Sequence, residues 1–180
     1  MVRAQLVQEQ HRADQLPAAE ATELNTQLAA DALVGASLHD KWEKRYRTQS
    51  NLDYFRSVLV EVFAPFQTLG TDYRILDAGC GTGVKSMLLA QMGFSVLAID
   101  KSNYVLDRAR EYAADVPTTG QIDFQRMDLC ALDLEDGAMN AVVCWASLMH
   151  IETLESAVAE VARVLAPGGI ALVVEGNCHS

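Results

Sequence analysis

No apolar run in these 180 residues approaches the roughly 18 that a membrane-spanning helix needs, so neither a transmembrane segment nor a membrane partner is expected. The start, Met1-Val2-Arg3-Ala4-Gln5-Leu6, continues into polar residues without the apolar stretch of a secretory signal. Cysteine is scarce: Cys80, Cys130, Cys144 and Cys178 are the only four, and their spacing matches neither a metal-ligand set nor a disulfide framework. The simplest reading is reduced thiols in a cytoplasmic protein with no bound metal. Positive charge is in deficit, with 14 Lys and Arg against 24 Asp and Glu and a net charge of −10. An acidic domain repels phosphate backbones, so nucleic acid is not expected as a partner. The one basic group, Lys41, Lys44, Arg45 and Arg47, is interleaved with Asp40 and Glu43 and reads as a solvated helix face. Half of the residues, 50%, are hydrophobic, which argues against a disordered chain. The length suits one domain with a core of its own.

The stretch that organises the chain is Arg74-Ile75-Leu76-Asp77-Ala78-Gly79-Cys80-Gly81-Thr82-Gly83. A short apolar run is followed by an acid and by three glycines on alternate positions. Val84-Lys85-Ser86-Met87-Leu88-Leu89-Ala90 then takes up helical spacing, so the segment reads as strand, tight turn, helix. Glycine permits positive φ and a close approach of ligand to backbone. The helix start behind it offers free N–H groups. Such a turn binds a nucleotide or cofactor in an α/β sheet. A dinucleotide fingerprint would need its third glycine at Val84, and a phosphate loop would need Gly-Lys-Ser/Thr at the helix start; neither is present. An NAD-dependent oxidoreductase therefore fails on spacing. Asp77 would repel a pyrophosphate and suits a ligand with a cationic end. With the pattern D-x-G-x-G-x-G over Asp77–Gly83, the chain resembles the class I S-adenosylmethionine (SAM)-dependent methyltransferases of small-molecule type.

Further elements extend the resemblance. Ser95-Val96-Leu97-Ala98-Ile99 reads as a buried parallel strand ending in Asp100. An acid at a strand end about 20 residues beyond a glycine loop can accept both ribose hydroxyls; its alternative role is to stabilise the next helix start through the dipole. Ser102 is read as the cap of that helix, which leaves Asp100 for the ribose. Lys101 and Ser102 would line the adenine side. Ile122–Arg126 reads as the third strand and leads to Met127-Asp128-Leu129. The resemblance implies that Asp128 takes the adenine amino group and that Leu129 covers the ring. Ala141-Val142-Val143-Cys144-Trp145 is the fourth strand. Its end, at Cys144 and Trp145, should face the methionine part of SAM, and the loop Ala146–His150 the methyl group. His150 is either a general base, a role to which the imidazole of histidine is suited, or a structural residue at the start of the next helix. In many small-molecule members this loop ends in a His pair; here Met149-His150 keeps only the second. Ile151, Leu154, Val158, Val161 and Leu165 form an amphipathic helix that Ala166-Pro167-Gly168-Gly169 is expected to stop before a fifth strand, Ile170–Val174. The run Arg163–Gly169 is a well-known stretch of the same family.

The expected architecture is α/β: a Rossmann-like, doubly wound, mainly parallel sheet with helices on both faces. Residues 1–50 form an N-terminal helical extension and 51–180 the SAM-binding domain. Residues 52–69 read as one amphipathic helix that Pro65 kinks or ends. Trp42 and Tyr46, four apart on one helical face, either pack on the sheet edge or close as a lid over the cofactor. The C-terminal strands usual in the family are missing, which leaves the fifth strand as an edge. A fragment of a longer protein, a homodimer partner over that edge, or N-terminal helices wrapped around it would each account for this. The resemblance implies in-line SN2 transfer of a methyl group from SAM to a small-molecule acceptor. Gly79, Cys80, Gly81 and Gly83 would meet the methionine end, with Asp77 orienting the loop and the amino group. Trp42, Tyr46, Trp145 and His150 would shape the acceptor pocket. The competing reading is a SAM-binding or regulatory module that transfers nothing.

Overall fold

A computed structural model describes residue 44 and residues 46–176. The chain divides into two compact units, Met1–Tyr46 and Arg47–Ser180. In the first, Lys44 is exposed and Tyr46 half-buried, both in helix. Trp42, expected either to pack on the sheet edge or to serve a lid, lies outside the described residues, as do Lys41 and Arg45.

The second unit is built on a five-stranded sheet in the order β3-β2-β1-β4-β5. Its strands are β1 (Arg74–Ala78), β2 (Ser95–Asp100), β3 (Gln121–Arg126), β4 (Met139–Trp145) and β5 (Leu165–Val174), and every pairing is parallel. The helices are α1 (Gln49–Phe63), α2 (Val84–Gln91), α3 (Asn103–Ala114) and α4 (Leu154–Val164). The chain moves outward from β1 to β3, then returns to lay β4 on the other side of β1. This reversal opens a crevice at the carboxyl ends of β1 and β4, where open α/β sheets bind ligands.

Parallel strands covered on both faces need continuous apolar runs. Ile75, Leu76, Asp77 and Ala78 of β1 are all buried, as is every residue of α2 from Val84 to Ala90. One core cluster joins Leu76, Ile99, Leu129 and Val142 to Ala157, Val161 and Val164 of α4. At the opposite, amino end of the strands, aromatic rings lock the sheet. Phe63 meets Phe94 at 6.0 Å between centroids, Tyr73 meets Phe94 at 5.6 Å, and Phe66 stacks on Tyr73 at 4.8 Å.

Local punctuation departs from expectation in four places. The helix expected over 52–69 does end near Pro65 as expected, but its bounds shift: α1 runs Gln49–Phe63 and a 3-10 segment, Ala64–Asp72, follows. Pro65 lacks the N–H that would continue the α-helical ladder, so the chain tightens there and turns at Gly70, with φ of 55°. Next, α4 starts at Leu154 rather than Ile151, and it buries Ala157, Val161 and Val164 while Val158 stays 51% exposed. The buried stripe is thus rotated from the expected one by about one residue. Third, Ala166–Gly169 is an irregularity of β5 and not a helix stop. Met139 pairs with Leu165 but Ala141 with Ile170, so the intervening residues bulge outward. A Cβ on Gly169 would lie 2.9 Å from the carbonyl oxygens of Ala166 and Asn140, which only glycine avoids. Finally, Arg47 is not part of a solvated face: its guanidinium lies 3.2 Å over the Tyr112 ring, a cation–π contact.

One arginine ties α4 to the loop that precedes β4. Arg163 donates to the carbonyl oxygens of Leu134 at 2.6 Å and Leu132 at 3.0 Å, to Asp136 at 2.8 Å and to Glu160 at 2.7 and 2.8 Å. Glu160 also accepts the Leu132 N–H at 2.7 Å. Hydrogen bonding from Arg163 holds the Glu160 carboxyl down to about 2.

Candidate functional site

At the carboxyl end of β1, Asp77 is 1% exposed. The Ser86 hydroxyl of α2 donates to its Oδ2 at 2.5 Å. Its Oδ1 is buried with no hydrogen-bond partner among the described residues. Burial raises its pKa, opposed by the charge of Lys85 and the bond from Ser86. Lys85 is itself buried, its pKa lowered by that burial and supported by Asp77; its Nζ sits 5.5 Å from the centroid of the Phe55 ring. Neither Lys85 nor Ser86 was picked out from sequence. The available signal was two polar residues in the stretch Val84–Ala90, otherwise spelled Val, Met, Leu, Leu, Ala.

The glycine loop folds back on β2. The N–H groups of Gly79 and Cys80 both donate to the Ile99 carbonyl, at 2.9 and 2.8 Å. Gly79, Gly81 and Gly83 all hold positive φ, at 78°, 55° and 76°. A Cβ on Gly79 would lie 2.5 Å from Cβ of Ser147, and one on Gly83 3.0 Å from the Phe124 ring. One on Gly81 would meet nothing within 4 Å, so there the loop borders open space. The Gly81 backbone is therefore the part available to a ligand, and Gly83 serves helix–strand packing. Gly79→Ala is expected to lower Tm by roughly 3–6 °C, from left-handed strain plus a contact that must shift. Gly81→Ala is expected to melt closer to wild type and to lose more in cofactor affinity; thermal melts paired with calorimetric titration check both.

Asp100 ends β2 beside this loop. Its Oδ2 accepts the Gly81 N–H at 3.1 Å and its Oδ1 the Ser102 N–H at 2.8 Å. A carboxylate has about four acceptor positions, so one on each oxygen remains. The Ser102 hydroxyl makes no cap bond, which corrects the expected division of labour. The Ser102 main chain, not its side chain, engages Asp100.

On the side expected for adenine, Lys101, Arg126, Met127 and Asp128 line a cleft of about 210 Å³. Asp128 accepts Lys101 Nζ at 2.7 Å and the Cys130 N–H at 3.0 Å, and these bonds hold its carboxyl below the usual range. An adenine amino group there would share Asp128 with Lys101. Leu129 is turned into the core beside Leu76 and Ile99, rather than out over the cleft as expected.

At the end of β4, Trp145 meets Phe55 at 5.2 Å and Tyr54 at 6.0 Å, both edge to face. Ala146 takes φ of 52°, the only positive φ outside glycine among the described residues. His150 closes the short 3-10 turn Leu148–His150 and is exposed. The Cys80 thiol is pushed well above its usual range by burial and by the charges of Asp77 and Asp100. Cys144 is raised to about 12, by burial first and then by Asp77 and Glu175. Both thiols stay protonated and, at 1% exposed, these two side chains pack in the core as small apolar groups rather than facing a ligand as expected. Tyr46 belongs to the other compact unit.

An orphaned carboxylate oxygen, open backbone at Gly81, two spare acceptors on Asp100 and a cleft next to it fit a ligand that carries a cation, a ribose and a base. Comparison with known proteins agrees. The family model described as a methyltransferase domain matches residues 76–173. A sterol 24-C-methyltransferase of Gibberella zeae is 31% identical over 103 residues, covering 57% of this chain and 27% of that protein. An O-methyltransferase of Pyrenophora dematioidea is 33% identical over 109 residues, covering 58% and 41%. The chain thus spans well under half the length of these relatives. A solved protein of Pyrococcus horikoshii superposes with a TM-score of 0.63 at 27% identity, covering 76% of this chain and 59% of that one. With the family match, the five parallel strands and the glycine loop in agreement, the chain belongs to the class I SAM-dependent methyltransferases.

Proposed function

We propose that the chain carries the cofactor half of an enzyme that methylates a small, largely apolar molecule. The carrying observation is Asp100: it ties the open Gly81 backbone to β2 and keeps an acceptor on each oxygen for a ribose. Asp77 receives the cationic amino-acid end of the cofactor, and Lys101 and Asp128 border the base. SAM, when bound, supplies a methyl group made electrophilic by its sulfonium. The protein's own part is positioning and exclusion of water, which supply most of the rate when two reactants must meet in line. At the carboxyl end of β4, buried Trp145 and Phe55 back an apolar wall whose exposed members are Tyr54 and Met149, each 53% exposed. That wall favours an apolar acceptor, in keeping with the sterol named for one relative. His150, exposed on the turn that follows β4, is the base offered to an acceptor that must lose a proton.

Calorimetric titration of the 180-residue chain with SAM and with S-adenosylhomocysteine tests the cofactor half. Micromolar binding of both is expected, and binding of neither would overturn the reading. Incubation with SAM and a panel of sterols, phenols and amines then tests transfer. Binding without release of S-adenosylhomocysteine would favour the non-transferring module instead.

A further inference from the structure

Asp77 is not the only buried acceptor left without a partner at the carboxyl end of the sheet. Among the described residues, Ser147 Oγ and Glu175 Oε2 share that state. Glu175 directly follows β5. Its other oxygen, Oε1, accepts the N–H groups of Ser147 at 3.1 Å and Leu148 at 2.9 Å. One residue earlier, the Val174 carbonyl accepts the Ala146 N–H at 2.7 Å. These three bonds hold the turn after β4 in shape, including the strained Ala146 at φ 52°.

That turn reaches the glycine loop. Ser147 Cβ lies where a side chain on Gly79 would be, 2.5 Å from its Cβ position. Cys144, on β4 just before the turn, feels the charges of both Asp77 and Glu175. Asp77, Ser147 and Glu175 thus converge on one small region, reached from β1, β4 and β5. Buried acceptors are rarely left without donors. An alkylammonium is the complementary group, because it carries one positive charge, three N–H donors and no acceptor.

We propose that Glu175 and Ser147, with Asp77, receive the α-ammonium of the cofactor, and that Glu175 also positions the Ala146–Leu148 turn that frames it. The proposal rests on the reading of the site as a SAM site. It adds an acid from the end of β5 to a set drawn so far from β1, β2 and β3.

The test compares two ligands. S-adenosylhomocysteine carries the ammonium; 5′-methylthioadenosine keeps the adenine, ribose and thioether and lacks the amino-acid part. Glu175→Gln retains a carbonyl oxygen for the Ser147 and Leu148 N–H groups and loses the charge. It is expected to weaken S-adenosylhomocysteine roughly 10-fold and to leave 5′-methylthioadenosine within about twofold. Ser147→Ala, which keeps every backbone bond, is expected to show the same one-sided loss at smaller size. Equal losses for both ligands would assign Glu175 a purely structural role and overturn the proposal. So would unchanged affinity for S-adenosylhomocysteine in both variants. Should wild-type protein bind neither ligand, the SAM reading itself falls and the proposal with it.

Discussion

Replacing Asp100 with alanine is expected to weaken SAM binding by roughly 10- to 100-fold, because hydrogen bonds to a charged group are worth about 1.5–3 kcal/mol and each 1.4 kcal/mol is tenfold. Two losses combine. The ribose loses the acceptors that Asp100 still has free. The Gly81 N–H, now held at 3.1 Å by Oδ2, loses its anchor, so the open part of the glycine loop is no longer fixed. Asp100→Asn separates them. Its single carbonyl can serve Ser102 or Gly81 but not both, so an intermediate loss is expected. The carboxylate is not part of the buried core, so Tm should stay within a few degrees of wild type. Calorimetric titration alongside a thermal melt checks both parts. Unchanged affinity in Asp100→Ala would refute the ribose assignment.

The largest effect on folding is expected at Arg163. Alanine there removes the donors for the Leu132 and Leu134 carbonyls and for Glu160 and Asp136 together. The Arg163 side chain is 30% exposed and that of Glu160 19%, so water replaces part of what is lost. The expected drop in Tm is roughly 5–10 °C near neutral pH. Lysine should rescue little, since an ammonium cannot reproduce a planar fork that reaches several acceptors at once. The pH dependence has a definite sign. The folded-state pKa of Glu160 is depressed from 4.5 to about 2. Its contribution is therefore complete above about 4.5 and disappears as pH falls toward about 2. The gap in Tm between wild type and Arg163→Ala should narrow over that interval. A gap that stayed constant down to about pH 2 would show that the ion pair carries none of the effect.

Much of the site is local in the chain and therefore legible from it. Asp77–Gly83 lies within one turn, and the alternation of glycines states by itself that the backbone must take positive φ there. Asp100 follows an apolar run of strand length, so its place at a strand end follows from periodicity. Inner strands covered on both faces announce themselves as short apolar runs, whereas β3, at the sheet edge, is marked instead by alternation, with Ile122 and Phe124 half-buried between exposed neighbours. Resemblance to a known family extended this to Asp128, which does border the cleft beside Lys101.

The errors share a physical cause. Ala166-Pro167-Gly168-Gly169 has the composition of a helix stop, yet pairing with β4 draws it into β5 as a bulge. Ladder hydrogen bonds outweigh local turn preference there. Ser102 has the residue type of a cap, but its N–H is taken by Asp100 and its hydroxyl makes no cap bond. Leu129 follows a candidate adenine ligand, and the bridge between Asp128 and Ala131 turns its side chain inward to the core. In each case a neighbour distant in sequence, or a bond within a turn, decided the outcome.

By itself the sequence determined which stretches are strands, where the backbone opens to a ligand, and that this ligand carries positive charge rather than a pyrophosphate. Those properties follow from spacing and residue type within a few positions. Only the tertiary structure decided that Lys85 and Ser86 attend Asp77, that Arg163 pins the loop before β4, and that Glu175 meets the turn after β4. Those partners lie on different strands and helices, and nothing in the local spacing of any one segment encodes the distance between them. The parallel order β3-β2-β1-β4-β5 brings the ends of β1, β4 and β5 together, and with them the acids that the chain keeps far apart.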